Sequence, residues 1–233
     1  LQMAMWPAIA AMYLKGDVKK ADRTYYETLT YADALAGKKA NSERIARAGL
    51  RGIAGINFDP GYPVKSDSSL IPPDDAEVIE SVTKQLFWDI PNRQFRVVTP
   101  GTKGFSGFTN GKKVVCGNTV FELKNDFAAV ILTSRDNAAL ESSVRILMTA
   151  VARCWNTGTK YNALKTRFLE SGKAPILLQP VEGTVHLPSV RKLSVYALDL
   201  AGKRKKKIDA SFDGKILSIP IGNAIHYELT AEP

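Results

Sequence analysis

Long apolar runs, cysteine and histidine are all scarce in this chain of 233 residues, and each shortage excludes a class of protein. The one long apolar run, from Met3 to Leu14, is shorter than the roughly 20 residues that a membrane-spanning helix needs. No basic segment precedes it, as a secretory signal peptide would require. The run therefore predicts a buried helix.

The two cysteines and two histidines limit the chemistry that the chain can perform. Cys116 and Cys154 stand among apolar residues on expected strands, which favours free buried thiols over a disulfide between them. His186 and His226 have no suitably spaced carboxylate or cysteine for a triad or a zinc site. The glycines of Gly101–Gly104 lack the spacing of a phosphate-binding loop. We expect no catalytic residue, no metal and no cofactor.

The chain has a formal net charge of +9 and a pI near 9.5, which raises the question of nucleic-acid binding. Most of the charge is dispersed, and the one dense run is Lys203–Lys207. Turn signals flank this run, so it predicts a hairpin with an edge strand, where lysines discourage sheet-to-sheet aggregation. Aromatic residues that could stack on bases are missing around it. We therefore favour an edge strand over phosphate or nucleic-acid binding.

The distribution of residue types predicts three regions. Residues 1–56 have a helical character, and residues 57–77 are rich in proline, glycine, serine and aspartate, which is typical of a linker. From residue 78 to 233, turn signals such as Pro91-Asn92 and Asn110-Gly111 separate short apolar runs at strand-like spacing. This pattern predicts a mainly β protein, with an antiparallel β-sandwich that follows a helical segment. Ser142–Arg153 alternates along its length and predicts one long strand.

A succession of short motifs resembles the carboxy-terminal part of clan A (β/α)8-barrel glycoside hydrolases. The first motif is a proline-alanine helix that ends in Lys-Gly-Asp-Val, and the later ones include Trp-Asp, Thr-Pro and Thr-Ser-Arg-Asp. The motif residues are Trp6–Val18, Phe87–Asp89, Val97–Pro100, Thr133–Asp136, Ala152–Gly158, Pro175–Gly183 and Val195–Gly202. The chain departs from the family pattern at Trp155 and at the basic run.

The resemblance implies that residues 1–56 end a catalytic barrel and that a β-sandwich follows. In such enzymes the catalytic carboxylates lie at the ends of barrel strands, so the resemblance places them upstream of Leu1. Because the chain begins at Leu1 with no initiator methionine, we also expect it to be a processed product, a proteolytic piece or one part of a longer polypeptide. The resemblance implies that the chain braces the barrel, which is either covalently attached upstream or a separate polypeptide. The enzyme would degrade polysaccharide or oligosaccharide and would be secreted or periplasmic.

Three aromatic residues, Trp88, Trp155 and Tyr161, are candidates for carbohydrate binding. Flat apolar rings complement the apolar faces of sugars, although a sandwich also buries tryptophan in its core. An alternative from another class is therefore a separate carbohydrate-binding or adhesion module with no enzyme attached. The sequence does not specify the glycan, its linkage, the stereochemical outcome of hydrolysis or the oligomeric state.

Overall fold

The computed structural model describes residues 2–164 and 166–231, with side chains from Met5 onward, and these residues form two compact units. The first unit takes in the residues up to Asp17 and those from Thr99 onward, and the second unit comprises Val18–Val98. The regions 1–56, 57–77 and 78–233 remain a prediction about domains. In the described part of the chain, no helix has the length and apolar character needed to cross a membrane.

The α-helices lie before residue 50, and strands dominate the remainder of the described chain. Up to Val98 the elements are Gln2–Lys15 (α1), Thr24–Thr28 (β1), Tyr31–Leu35 (α2), Ser42–Gly49 (α3), Ile53–Asn57 (β2), a short 3-10 helix at Ser68–Leu70, Val78–Glu80 (β3), Leu86–Asp89 (β4) and Gln94–Val98 (β5). Helix α1 corresponds to the predicted helix at 3–14 and belongs to the first unit.

The remaining elements are all strands. They are Thr102–Phe108 (β6), Val114–Cys116 (β7), Thr119–Leu123 (β8), Phe127–Ser134 (β9), Arg145–Val151 (β10), Cys154–Thr157 (β11), Lys160–Tyr161 (β12), Phe168–Glu170 (β13), Lys173–Leu178 (β14), Gly183–Pro188 (β15), Ser194–Leu198 (β16), Arg204–Ile208 (β17), Ser211–Phe212 (β18), Ile216–Ile221 (β19) and His226–Thr230 (β20). The strand predicted at 142–153 is therefore β10, which is shorter at both ends.

The first unit contains two large antiparallel sheets, and the predicted fold class is confirmed. Strands β17, β16, β20, β10, β9 and β6 lie side by side in that order, and β18, β19, β15, β8 and β7 form the second sheet. Phe105 of the first sheet and Phe121 of the second meet edge to face with ring centroids 5.3 Å apart. This contact joins the inner faces of the two layers, as a β-sandwich requires.

Side-chain alternation explains which strand faces form the core. Val185 and Leu187 of β15 are fully buried, and their register partners on β19, Ile219 and Leu217, are fully buried too. The intervening residues of both strands are more exposed, as expected for a sheet with one covered face. Strand β9 differs, because its residues from Ala128 to Ser134 are buried on both faces.

The basic run lies at a sheet edge, as its flanking turns predict. Strand β17 pairs with β16 alone and ends the six-stranded sheet within the described residues. The chain leaves the first sheet after Ile208 and joins the second sheet at Ser211–Phe212, so residues 204–212 contribute strands to both layers.

The second unit is built around a small mixed core. Strands β1 and β2 pair in parallel, and Tyr25, Ala48 and Leu70 pack together beneath them. Strands β3, β4 and β5 form an antiparallel meander. Strand β2 lies within the region expected to be helical. The sequence does not predict this strand, because apolar and polar residues alternate too weakly over its five positions.

The cysteines are both free thiols. Cys116 is fully buried, and its Sγ lies 3.3 Å from the carbonyl oxygen of Gly104. Cys154 is only half-buried, at the start of β11. The expectation of two free thiols is met, and the expectation of burial holds for Cys116 alone.

Candidate functional site

The histidines of the first unit bind hydroxyl groups on neighbouring strands. The Nδ1 atom of His186 lies 2.9 Å from Ser218 Oγ, and its Nε2 lies 3.3 Å from Glu122 Oε1. The Nδ1 atom of His226 lies 2.9 Å from Thr149 Oγ1, and burial lowers the pKa of this imidazole. Among the described residues, no group of three or more His, Cys, Asp or Glu side chains could hold a metal ion.

The motif residues of the glycosidase resemblance form a structural network at the end of helix α1. Lys15 Nζ donates to Ser134 Oγ at 2.7 Å and to the Gly101 carbonyl oxygen at 3.2 Å. Asp17 accepts a hydrogen bond from the Thr99 hydroxyl and lies 3.6 Å from Lys15. These contacts fasten the end of α1 to the end of β9 and to the turn before β6.

A second part of the network stabilises the loop between β9 and β10. Asp136 accepts hydrogen bonds from the backbone N–H of Val144 at 2.7 Å and from Ser143 Oγ at 2.8 Å. Burial alone would raise the pKa of Asp136, but these hydrogen bonds outweigh it and lower the pKa below its ordinary value of 3.8. The Thr-Ser-Arg-Asp motif therefore has a structural role.

Helix α1 packs against β9 and β10 and exposes apolar side chains on its other sides. Ala8 is fully buried, whereas Trp6, Ile9, Tyr13 and Leu14 are exposed, Leu14 to 83%. We call these four exposed side chains the outer face of α1. Contiguous apolar surface on a folded protein commonly marks an interaction site. Met3 of the same helix lies outside the residues whose side chains are described.

The three aromatic candidates lie on three different strand pairs. Trp88 belongs to the second unit, where β4 places it opposite Ile79 and Phe95. In the first unit, Trp155 lies on β11 and Tyr161 on β12. The strand pairing is irregular between Trp155 and Tyr161, because the register shifts in both β11 and β12. Gly158, which has a φ of 79°, lies between these two strands. All three side chains are partly exposed, so each ring is accessible.

Strands β11 to β14 form an arm that the sequence analysis does not anticipate. We call residues 154–178 the β-arm; it consists of the two-stranded pairs β11–β14 and β12–β13. All six residues of β14 are exposed, including Ile176, Leu177 and Leu178. Tyr161 and Phe168 pair across β12–β13 with ring centroids 4.7 Å apart. The β-arm therefore presents apolar and aromatic surface that the sandwich core does not cover.

Sequence reasoning missed the β-arm because its strands carry no one-sided apolar pattern. An apolar run such as Ile176–Leu178 predicts a buried strand when composition is the only guide. Its exposure follows from the pairing, since β14 contacts β11 and lies in neither large sheet.

Comparison with protein families, with curated proteins and with solved structures finds no match to this chain.

Proposed function

We propose that this chain is the non-catalytic, carboxy-terminal part of a glycoside hydrolase, where it braces a (β/α)8 barrel that acts on polysaccharide or oligosaccharide outside the cytoplasm. The observation that carries the proposal is the outer face of α1. The helix is fastened to the sandwich through Lys15 and Asp17, yet Trp6, Tyr13 and Leu14 remain exposed.

The barrel is the occupant that fits this face best. Helix α1 carries the sequence pattern of a last barrel helix, and such a helix is normally covered by the adjacent helix and strand of the barrel. An isolated helix of this composition would leave large apolar side chains in water, at a cost of about 25 cal/mol for each Å². The proposal gives these side chains a partner.

The test is to identify the polypeptide encoded upstream of Leu1 and to measure its association with the 233-residue chain. We expect a (β/α)8 pattern upstream and a stable complex by size-exclusion chromatography with light scattering. Leu14→Glu should weaken the complex at least tenfold, because it places a charge in an apolar contact. The matched control is Leu200→Glu, since Leu200 is equally exposed, at 85%, and lies outside α1 on the turn between β16 and β17.

Three results would contradict the proposal. They are an upstream sequence with no barrel pattern, no association with the upstream polypeptide, and equal losses of affinity for Leu14→Glu and Leu200→Glu. A stable monomer that binds glycan without any upstream partner would favour the second candidate function.

The second candidate is a carbohydrate-binding module, which the exposed ring pair of Tyr161 and Phe168 favours. Here Tyr161→Ala and Trp155→Ala should each reduce retention on an insoluble polysaccharide, because stacking surface is lost. Affinity electrophoresis or a pull-down assay measures this retention, with Tyr62→Ala as the control at an exposed tyrosine of the second unit. Unchanged retention with lowered stability would assign these rings to packing alone.

A further inference from the structure

A pocket of about 730 Å³ opens in the first unit beside the base of the β-arm. Its walls come from the ends of β10, β14 and β16, from β17, and from the loop before β20. This volume falls within the ~300–1,000 Å³ of typical small-molecule sites. The pocket is separate from the outer face of α1, so an inference from it is independent of the proposed function.

Most of the pocket wall is apolar. The apolar side chains that line it are Val151, Leu178, Leu198, Leu200, Ile208 and Ile225. Small residues, among them Ala197 and Ala224, leave the space open. Walls of this kind accept a hydrocarbon body and leave specificity to a few polar groups.

Two lysines of the basic run line the same pocket because of a β-bulge. On β17, Lys206 pairs with Ala197 and Arg204 pairs with Leu198, so Lys205 is the extra residue in the register shift. Consecutive residues of a regular strand point to opposite faces, whereas a bulge re-aims one of them. Both Lys205 and Lys206 therefore border the cavity.

The neighbouring basic residues have other contacts. Arg204 donates to the Glu228 carboxylate at 2.7 Å and lies over the ring of Tyr196. Lys207 also lies over the Tyr196 ring. Within residues 2–164 and 166–231, by contrast, Lys205 and Lys206 form no ion pair with an acidic side chain. Arg204 and Lys207 of the basic run therefore contact Tyr196, whereas Lys205 and Lys206 line the pocket.

One acidic residue, Asp199, also lines the pocket, and its carboxylate is occupied. Its Oδ1 accepts hydrogen bonds from the backbone N–H groups of Ala201 and Lys203, each at 2.9 Å. The carboxylate therefore stabilises the turn before β17. With two lysines against one aspartate, the lining has a net positive charge.

Gln179 contributes a polar group with an unsatisfied atom. Its backbone N–H donates to the Arg153 carbonyl oxygen at 2.9 Å, whereas its side-chain Oε1 is buried and has no hydrogen-bond partner in the part of the chain that the structure describes. A buried amide oxygen without a partner destabilises the folded protein, because it loses its hydrogen bond to water and gains none in exchange. Because Gln179 lines the pocket, its side chain places an amide, which can both donate and accept hydrogen bonds, at the wall.

We propose that this pocket binds a small organic anion, with its apolar body among the aliphatic side chains and its carboxylate or phosphate head beside Lys205 and Lys206. The apolar wall selects the body of the ligand, and the two ammonium groups select its charge. A neutral or cationic compound with the same hydrocarbon body forms only the apolar part of the contact.

The test compares octanoate, octyl phosphate, 1-octanol and octylammonium, all below their micelle concentrations, by isothermal titration calorimetry at 50 mM salt. We expect both anions to bind at least about tenfold more tightly than octylammonium, because unscreened charges beside the pocket discriminate between the heads. The two anions together distinguish a carboxylate from a phosphate preference. Amide chemical shifts of Leu200 and Ala224 place the probes in the pocket.

Two kinds of variant test the contribution of the lysine charges and the contribution of the cavity volume separately. Lys205→Glu with Lys206→Glu should invert the preference, so that octylammonium binds more tightly than octanoate. A double Lys→Glu control at exposed Lys112 and Lys215 makes the same net charge change outside the pocket and should leave the preference intact. Ala224→Trp should abolish binding of all four probes by filling the cavity.

The proposal is overturned if no probe binds at millimolar concentration, if octanoate and octylammonium bind equally, or if the control pair inverts the preference as the pocket pair does. Circular dichroism of each variant verifies that the fold is retained. Lys205 and Lys206 are exposed on an edge strand, so their replacement leaves the core packing unchanged.

Discussion

Replacing Glu141 by alanine is expected to lower the free energy of unfolding by about 3 kcal/mol. Glu141 forms an ion pair with Lys103, whose side chain is only 7% exposed on β6. The Lys103 ammonium also donates to Asn118 Oδ1. Loss of the carboxylate leaves a buried positive charge with a neutral partner, and the penalty for burying that charge is then uncompensated.

Urea denaturation measures this effect, and Glu182→Ala is the matched control. Glu182 pairs with Lys124 at 3.6 Å, but both side chains are largely exposed, so its loss should cost less than about 1 kcal/mol. The double variant Lys103→Met with Glu141→Leu should recover most of the stability, because neither charge is then buried. Equal costs for the two Glu→Ala variants would contradict this account.

Replacing Asp136 by asparagine is expected to cost about 2 kcal/mol at pH 7, since charged hydrogen bonds contribute roughly 1.5–3 kcal/mol each. The carboxylate accepts from Val144 N–H, Ser143 Oγ and Ala138 N–H, whereas an amide presents one acceptor and one donor to these groups. The loop between β9 and β10 should therefore loosen first.

The pH dependence of this cost has a definite sign. The pKa of Asp136 is lower in the folded protein than its ordinary value of 3.8, despite the opposing effect of burial, because hydrogen bonds favour the charged form. Its stabilisation is therefore complete above about pH 5 and is lost as the pH falls through the folded pKa. The difference between the wild type and Asp136→Asn should shrink toward pH 3.

Other carboxyl groups also make the wild type sensitive to acid, so the measured quantity is the difference between the two denaturation series. Glu141, for example, has a pKa that the hydrogen bonds from Lys103 and Asn118 lower against the effect of burial. Asp209→Asn, at an exposed aspartate after β17, is the control and should change stability by less than about 0.5 kcal/mol. Parallel pH curves for the wild type and Asp136→Asn would show that Asp136 is not a source of the dependence.

Local patterns predict the fold class of this chain and many of its strands. Asn110 and Gly111 both adopt positive φ between β6 and β7, as the Asn-Gly turn signal requires. Alternation predicts β10, and flanking turns predict the edge position of the basic run. These features depend on residues close together in the chain, which is why sequence reasoning detects them.

The candidate sites depend on contacts that no local pattern contains. The sequence predicts the same carbohydrate-binding role for Trp88, Trp155 and Tyr161. In the structure they lie on three separate strand pairs. The pairing of Tyr161 with Phe168 depends on how β12 and β13 align. Sequence reasoning finds the aromatic residues but cannot establish which of them share a surface.

By itself, the sequence determined that this chain has a mainly antiparallel β architecture with an apolar helix at its start, because turn residues and short-range alternation encode those features. Tertiary structure alone decided that Lys15, Asp17, Ser134 and Thr99 form one network and that Lys205 and Lys206 border one pocket. The physical reason is that a network depends on strand order, and the pocket depends on a single extra residue in the register between β16 and β17.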